Sequence, residues 1–268
     1  MDELMICVAS YPGEKQVEKF PGKMDVADEV IRSCNAGASI AHLHVRDENG
    51  LQTKDPQWFQ RDIQRIHAAC AIIIEGSTGG APEHTLEERC TAFTIPGIEM
   101  GSLNLGSINM FDSVYHNSMP EMRFYAQELK KRGIKPFICI FDLSMFYNGL
   151  RLEEEGLMSP PYVYNLVFDI PDTLPFSMKS LEIFLDHLPE NSPWFLTRHH
   201  SIGVKDLHAA LERGGHVRVG YEDGPFLSSG ERARSNADLV AEVVEAARSI
   251  GRKVGNPERA REILGISA

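Results

Sequence analysis

Apolar strand-like runs and amphipathic helix-like runs alternate from one end of this chain to the other. That alternation limits the fold more than any single motif does. Residues 4–9 suit a short buried strand. Residues 26–35 read as a helix, with Asp25 as N-cap and Gly37 near its stop. A second strand is expected at 39–45, then a helix at 56–69 with Asp55 as N-cap and Pro56 at its first position. Further strands are expected at 71–75, 98–105, 136–141, 162–168, 194–197 and 216–219. Helices are expected at 82–90, 120–132, 144–155, 177–187, 204–212, 232–250 and 257–263. Strands this apolar fit a parallel sheet buried on both faces. Eight strand–helix units in 268 residues predict an α/β fold, a (β/α)8 TIM barrel. The expectation is a single domain over 1–268 with a short C-terminal helix. A doubly wound open sheet is the runner-up.

Composition narrows the function. The hydrophobic fraction of 43% is enough for a sizeable core. A net charge of −11 argues against nucleic acid as a partner, because phosphate backbones need basic patches. The five cysteines form no Cys-x-x-Cys pair, and several fall in apolar runs, which favours a reducing compartment. The acidic Met1-Asp2-Glu3 lacks a basic signal-peptide start, and no apolar run approaches membrane-spanning length. The expectation is a soluble, cytoplasmic protein with no membrane association.

In such a barrel the chemistry gathers where strands end and βα loops begin. Strand two brings His42 and His44, which point to one face because strand side chains alternate. Strand three brings Ser77 and Thr78 in a Gly-rich turn, and strand four brings Ser102 and Asn104. Strand eight brings Arg218, Glu222 and Asp223, and Glu14 follows strand one. Strands two and eight share the even-numbered layers, with only strand one between them. Glu222 can therefore join His42 and His44 on one ion, leaving an open coordination position. Each feature also has a plainer reading. The histidines could be hydrogen-bonded core residues, Ser77-Thr78-Gly79-Gly80 a turn, Arg218/Asp223 a salt bridge, and Glu14 a solvated loop carboxylate. His199-His200 fits either a surface pair or a second polar cluster.

Four blocks nevertheless match one pattern: Gly37-Ala38 through His42-Leu43-His44-Val45-Arg46-Asp47; Ser77-Thr78-Gly79-Gly80; Glu99-Met100 through Asn104; and Gly214-Gly215-His216-Val217-Arg218-Val219-Gly220-Tyr221-Glu222-Asp223. With the C-terminal segment from Asn236 to Leu264, they resemble the β-keto acid cleavage enzymes. The resemblance implies a (β/α)8 barrel, a homotetramer and a divalent metal, typically zinc. It implies condensation of a β-keto acid with acetyl-CoA to give acetoacetate and a new acyl-CoA. It makes His42, His44 and Glu222 metal ligands and Arg218/Asp223 a catalytic dyad. It makes Ser77, Ser102 and Glu14 substrate contacts, with Thr78 and Asn104 beside them. The chain departs from the family at strand five, where a Pro-Glu-x-Glu pattern is replaced by Pro136-Phe137-Ile138-Cys139. It departs again after strand seven, where Arg198-His199-His200 replaces glycines. Two other readings stand beside this one: an amidohydrolase-type metal hydrolase, and a catalytically silent barrel that binds a metabolite.

Overall fold

The computed structural model describes residues 2–11, 24–51, 53–79 and 84–266. Eight strands form the sheet: β1 Ile6–Ala9, β2 Ile40–Leu43, β3 Ile73–Gly76, β4 Ile98–Asn104, β5 Lys135–Ile140, β6 Val163–Phe168, β7 Trp194–Arg198 and β8 His216–Val219. All neighbours are parallel, and β1 pairs with both β2 and β8, so the sheet closes on itself. The predicted barrel is therefore the fold, and the open sheet is excluded.

The helices are α1 Val26–Ala36, α2 Pro56–Ala69, α3 Leu86–Arg89, α4 Met119–Arg132, α5 Ser144–Glu154, α6 Met178–Leu185, α7 His208–Glu212, α8 Asn236–Ser249 and α9 Pro257–Leu264. The anticipated caps are present: the Asp25 side chain accepts from Asp28 N, and that of Asp55 accepts from Gln57 N. Some expectations change, and the helix expected at 204–212 is a 3-10 turn, Val204–Leu207, followed by His208–Glu212. The helix expected at 82–90 is only Leu86–Arg89 among the described residues, with residues 82–83 outside them. The last long helix starts at Asn236, where Ser235 caps it, rather than at Arg232. A small antiparallel hairpin, Ile108–Met110 with Ser113–Tyr115, was not anticipated; Phe111 and Asp112 turn it with positive φ.

Side-chain alternation divides the barrel interior into levels. The lower level is apolar: Met5, Ile40, Ile73, Met100, Phe137, Val163 and Phe195 pack into one cluster. Ala260 and Leu264 of α9 join that cluster and plug the bottom of the barrel. Two residues further along β2, β3, β4, β6 and β7 the interior turns polar, with His42, Glu75, Ser102, Asn165 and Thr197 buried, and Arg218 of β8 is buried as well. The closed floor leaves the C-terminal mouth as the place for chemistry.

Candidate active site

The mouth is built by the ends of β8, β1 and β2. At the top of β8 the chain crosses close over Ala9. Gly220 sits there at φ +143°, with the Ala9 carbonyl inside the space a Cβ would need, and Glu222 N donates to that carbonyl at 3.2 Å. Gly220→Ala is expected to cost at least about 2 kcal/mol, because strain and overlap act together. It would also displace Glu222 and Asp223. Thermal unfolding together with bound-metal content checks both effects.

His42 lies on β2, and His44 stands one residue past the last strand residue rather than inside the strand, as had been expected. Both rings still face the interior, with centroids 4.9 Å apart. Their Nε2 atoms are 3.1 Å apart, and Glu222 places Oε1 3.6 Å from His42 Nε2 and Oε2 3.9 Å from His44 Nε2. One donor atom from each residue falls within 4.8 Å of the others. Ligands about 2.0–2.1 Å from a tetrahedral ion are about 3.3 Å from one another, so these spacings fit a single cation. Glu222 Oε1 accepts from Arg218 Nη2 at 2.6 Å, whereas the buried Oε2 has no hydrogen-bond partner. That orphan oxygen is the kind of donor a divalent ion satisfies.

The charge balance agrees. Glu222 and Asp223 share one guanidinium, that of Arg218, and Glu75 adds a third carboxylate against His42, so the site attracts a cation. His44 is pushed well below its ordinary pKa, first by burial and then by His42 and nearby cations, so its ring is neutral and able to ligate. For His42 burial also acts downward, but Glu75 and Glu222 outweigh it and raise the pKa.

Glu75 is the site residue that the sequence reading did not single out. It is fully buried on β3, bonded to His42 Nδ1 on one side and accepting from Ser102 Oγ at 2.6 Å on the other. A carboxylate on the far nitrogen fixes the ring with Nε2 bare toward the cluster. The clue was present as a lone acid in Ile72-Ile73-Ile74-Glu75-Gly76, two residues above Ile73 of the apolar floor. Glu75→Gln is expected to weaken divalent-metal affinity about 10–100-fold. A competition titration against a chromophoric chelator measures this.

Arg218 is buried. Its Nε and Nη2 donate to Asp223 at 2.8 and 3.0 Å, and Nη2 also bonds Glu222. Desolvation opposes the charge, but Asp223 and Glu222 hold it firmly protonated. His199 places Nε2 3.4 Å from Asp223 Oδ1, and its buried Nδ1 has no partner. The open alternative for His199-His200 thus splits: His199 joins the polar cluster, whereas His200 is exposed.

The remaining candidates gather just past β3 and along the end of β4, where their polar atoms are engaged locally. Ser77 Oγ accepts from Gly79 N at 2.9 Å, and Thr78 Oγ1 donates to the Ser102 carbonyl at 3.3 Å. Ser102 is held by Glu75, and Asn104 Nδ2 donates to Tyr115 Oη at 3.2 Å. The hairpin thereby ties down Asn104. Glu14 lies outside the described residues.

The model of the β-keto acid cleavage enzymes matches residues 4–266 of this sequence. The chain belongs to that family. It is an enzyme of the acyl-transferring, carbon–carbon-cleaving kind. It is 34% identical over 274 aligned residues to the 3-keto-5-aminohexanoate cleavage enzyme of Acetoanaerobium sticklandii, covering 100% of both chains. It is 33% identical to the 3-oxoadipate:acetyl-CoA acetyltransferase of Cupriavidus necator, covering 86% of this chain and 82% of that protein. Among solved structures, ObcA in a ternary complex with a C4-CoA adduct and oxalate superposes with a TM-score of 0.74 at 18% identity. That match covers 90% of this chain and 66% of ObcA, and at this identity the likeness is one of fold. Family membership sets aside both the hydrolase and the silent-barrel readings. No helix among the described residues is long and apolar enough to cross a membrane.

Proposed function

We propose that the enzyme is a metal-dependent β-keto acid cleavage enzyme that condenses a β-keto acid with acetyl-CoA. The products are acetoacetate and a new acyl-CoA made from the rest of the keto acid. The observation that carries this reading is the meeting of His42, His44 and Glu222 beside the Arg218–Asp223 pair. His42, His44 and Glu222 hold a divalent ion, zinc by family resemblance. When bound, that ion supplies Lewis acidity to the keto acid and eases loss of a proton from its CH2 group.

The chain's own residues do the rest. Asp223, fixed by two bonds from Arg218, presents a buried carboxylate that takes that proton and later returns it. Arg218 spends Nε and Nη2 on its two carboxylates and keeps Nη1 for oxygen that gains charge as the thioester carbonyl is attacked. Ser77, Thr78, Ser102 and Asn104 shape the wall along which the keto acid lies, and the family resemblance makes Glu14 a further substrate contact. The CoA thiol released in the first half of the exchange leaves with the new acyl group.

The relatives support this chemistry through their names, which pair acetyl-CoA with 3-oxoadipate, 3,5-dioxohexanoate and 3-dehydrocarnitine. The cysteines are all free, in keeping with a cytoplasmic enzyme. The same reading makes it a homotetramer, which light scattering would measure. Incubation of metal-loaded enzyme with acetyl-CoA and a panel of β-keto acids tests the reaction itself. Mass spectrometry should find acetoacetate and one new acyl-CoA in equal amounts. Simple hydrolysis to free CoA, or no exchange with any keto acid, would overturn the assignment.

A further inference from the structure

Charge at the mouth bears on which β-keto acid the enzyme takes, given the reaction proposed above. Among the described residues, the carboxylates at the strand ends are already engaged. Glu75 holds His42 and Ser102, while Glu222 and Asp223 hold Arg218. Asp169 accepts from Arg198 at 2.7 Å, and Asp142 accepts from Ser144 N at 2.9 Å and Oγ at 2.7 Å. On β5, Cys139 is in register with Asn104 on one side and Asn165 on the other, so that stretch of wall is neutral. Among the described residues, no strand-end carboxylate is spare for a cationic side chain.

Two cations are in the opposite condition. Arg89 is buried and, among the described residues, donates to neutral oxygens: Thr78 O at 2.9 Å, His116 O at 3.0 Å, Tyr115 Oη at 2.8 Å and Asn117 Oδ1 at 2.9 Å. Lys54, in the loop after β2, donates to the Gly79 carbonyl and makes no ion pair among the described residues. Burial, followed by repulsion from Arg89, pushes its ammonium down to about 8, which leaves it protonated at neutral pH. Lys54 and Arg89 thus flank the turn 77–79, and among the described residues neither forms an ion pair with a carboxylate.

Gly79 separates this ammonium from the metal ligands. A Cβ on Gly79 would lie 3.3 Å from His44 Cε1, while Lys54 holds the carbonyl of the same residue. A ligand anchored at His42, His44 and Glu222 therefore reaches Lys54 only with a group further out along its chain. We propose that Lys54 binds a second anionic group, the terminal carboxylate of a 3-oxo dicarboxylic acid, and so selects the side chain this enzyme accepts.

The test uses metal-loaded enzyme and 3-oxo acids of equal length ending in carboxylate, methyl or ammonium. Wild type should favour the carboxylate-ended acid by about tenfold or more in kcat/KM, the worth of one desolvated charge-assisted bond. Lys54→Gln should remove that preference by raising KM for this acid, with far smaller change for the methyl-ended one. Lys54→Glu should shift preference toward the ammonium-ended acid. A KM rise confined to acetyl-CoA, and missing with S-acetyl-N-acetylcysteamine, would assign the ammonium to a CoA phosphate and overturn the dicarboxylate assignment. Unchanged selectivity in Lys54→Gln would also overturn it.

Calorimetry with glutarate and pentanoate needs no turnover, so it separates failure of this proposal from failure of the reaction assignment. Tighter binding of glutarate by wild type, lost in Lys54→Gln, supports the subsite whether or not any keto acid is cleaved. Equal binding of the two acids by wild type overturns it.

Discussion

Replacing Arg218 by methionine is expected to lower kcat by about a thousandfold while leaving the metal in place. Removal of one preorganised donor to developing negative charge costs about 10²–10³ in kcat in other acyl-transfer enzymes. Here the same side chain also holds Asp223 in position. The metal should stay because His42, His44 and Glu222 are untouched, and loss of a positive charge makes the cluster more attractive to a cation. The variant leaves Asp223 and Glu222 without their counter-charge in a buried setting, which costs about 3–5 kcal/mol. Circular dichroism therefore has to accompany the kinetics. Arg218→Lys is the companion variant: it keeps the charge, but a point ammonium cannot bridge two carboxylates as the fork does, so it should recover folding more than turnover. A kcat within tenfold of wild type in folded Arg218→Met would remove Arg218 from the chemistry.

Replacing His44 by alanine is expected to abolish both tight metal binding and turnover, with little cost to the fold. His44 stands beyond the end of β2 at the mouth, with its side chain 16% exposed, so its loss opens no cavity in the apolar floor. With His44 gone, His42 and Glu222 form a two-ligand site, which cannot match the three protein ligands of a catalytic centre. Wild-type turnover by a metal-free His44→Ala protein would show that the histidines serve another purpose. The contrast with Arg218 is informative, because one variant should lose activity with metal bound and the other by losing metal.

Much of this was legible in the sequence for physical reasons. Period-two alternation is a local property, so His42 and His44 could be assigned to one face, and barrel layering brought Glu222 to them across β1. Where the sequence reading fell short, the deciding contacts were distant in the chain. Glu75 meets His42 from 33 residues away, and nothing in its own strand reveals that partner. Lys54 lies in the polar turn Thr53-Lys54-Asp55 and reads as an ordinary loop lysine until the fold sets it against Gly79. The hairpin at 108–115 escaped because Phe111 adopts positive φ beside Asp112, a conformation a bulky aromatic residue does not advertise. Ser77, Thr78 and Ser102 lie at or just past the ends of β3 and β4. Their hydroxyls are engaged in holding the wall together, which only coordinates could show.

X-ray absorption at the zinc edge, on protein loaded with one equivalent of zinc, tests the metal cradle most directly. A single ion per chain should show two imidazole nitrogens at about 2.0–2.1 Å and carboxylate oxygen at about 2.0–2.2 Å. The imidazole signal should fall by half in His44→Ala, and the carboxylate contribution should vanish in Glu222→Ala. A wild-type spectrum without imidazole scattering, or one unchanged in both variants, would contradict the convergence of His42, His44 and Glu222 on one cation.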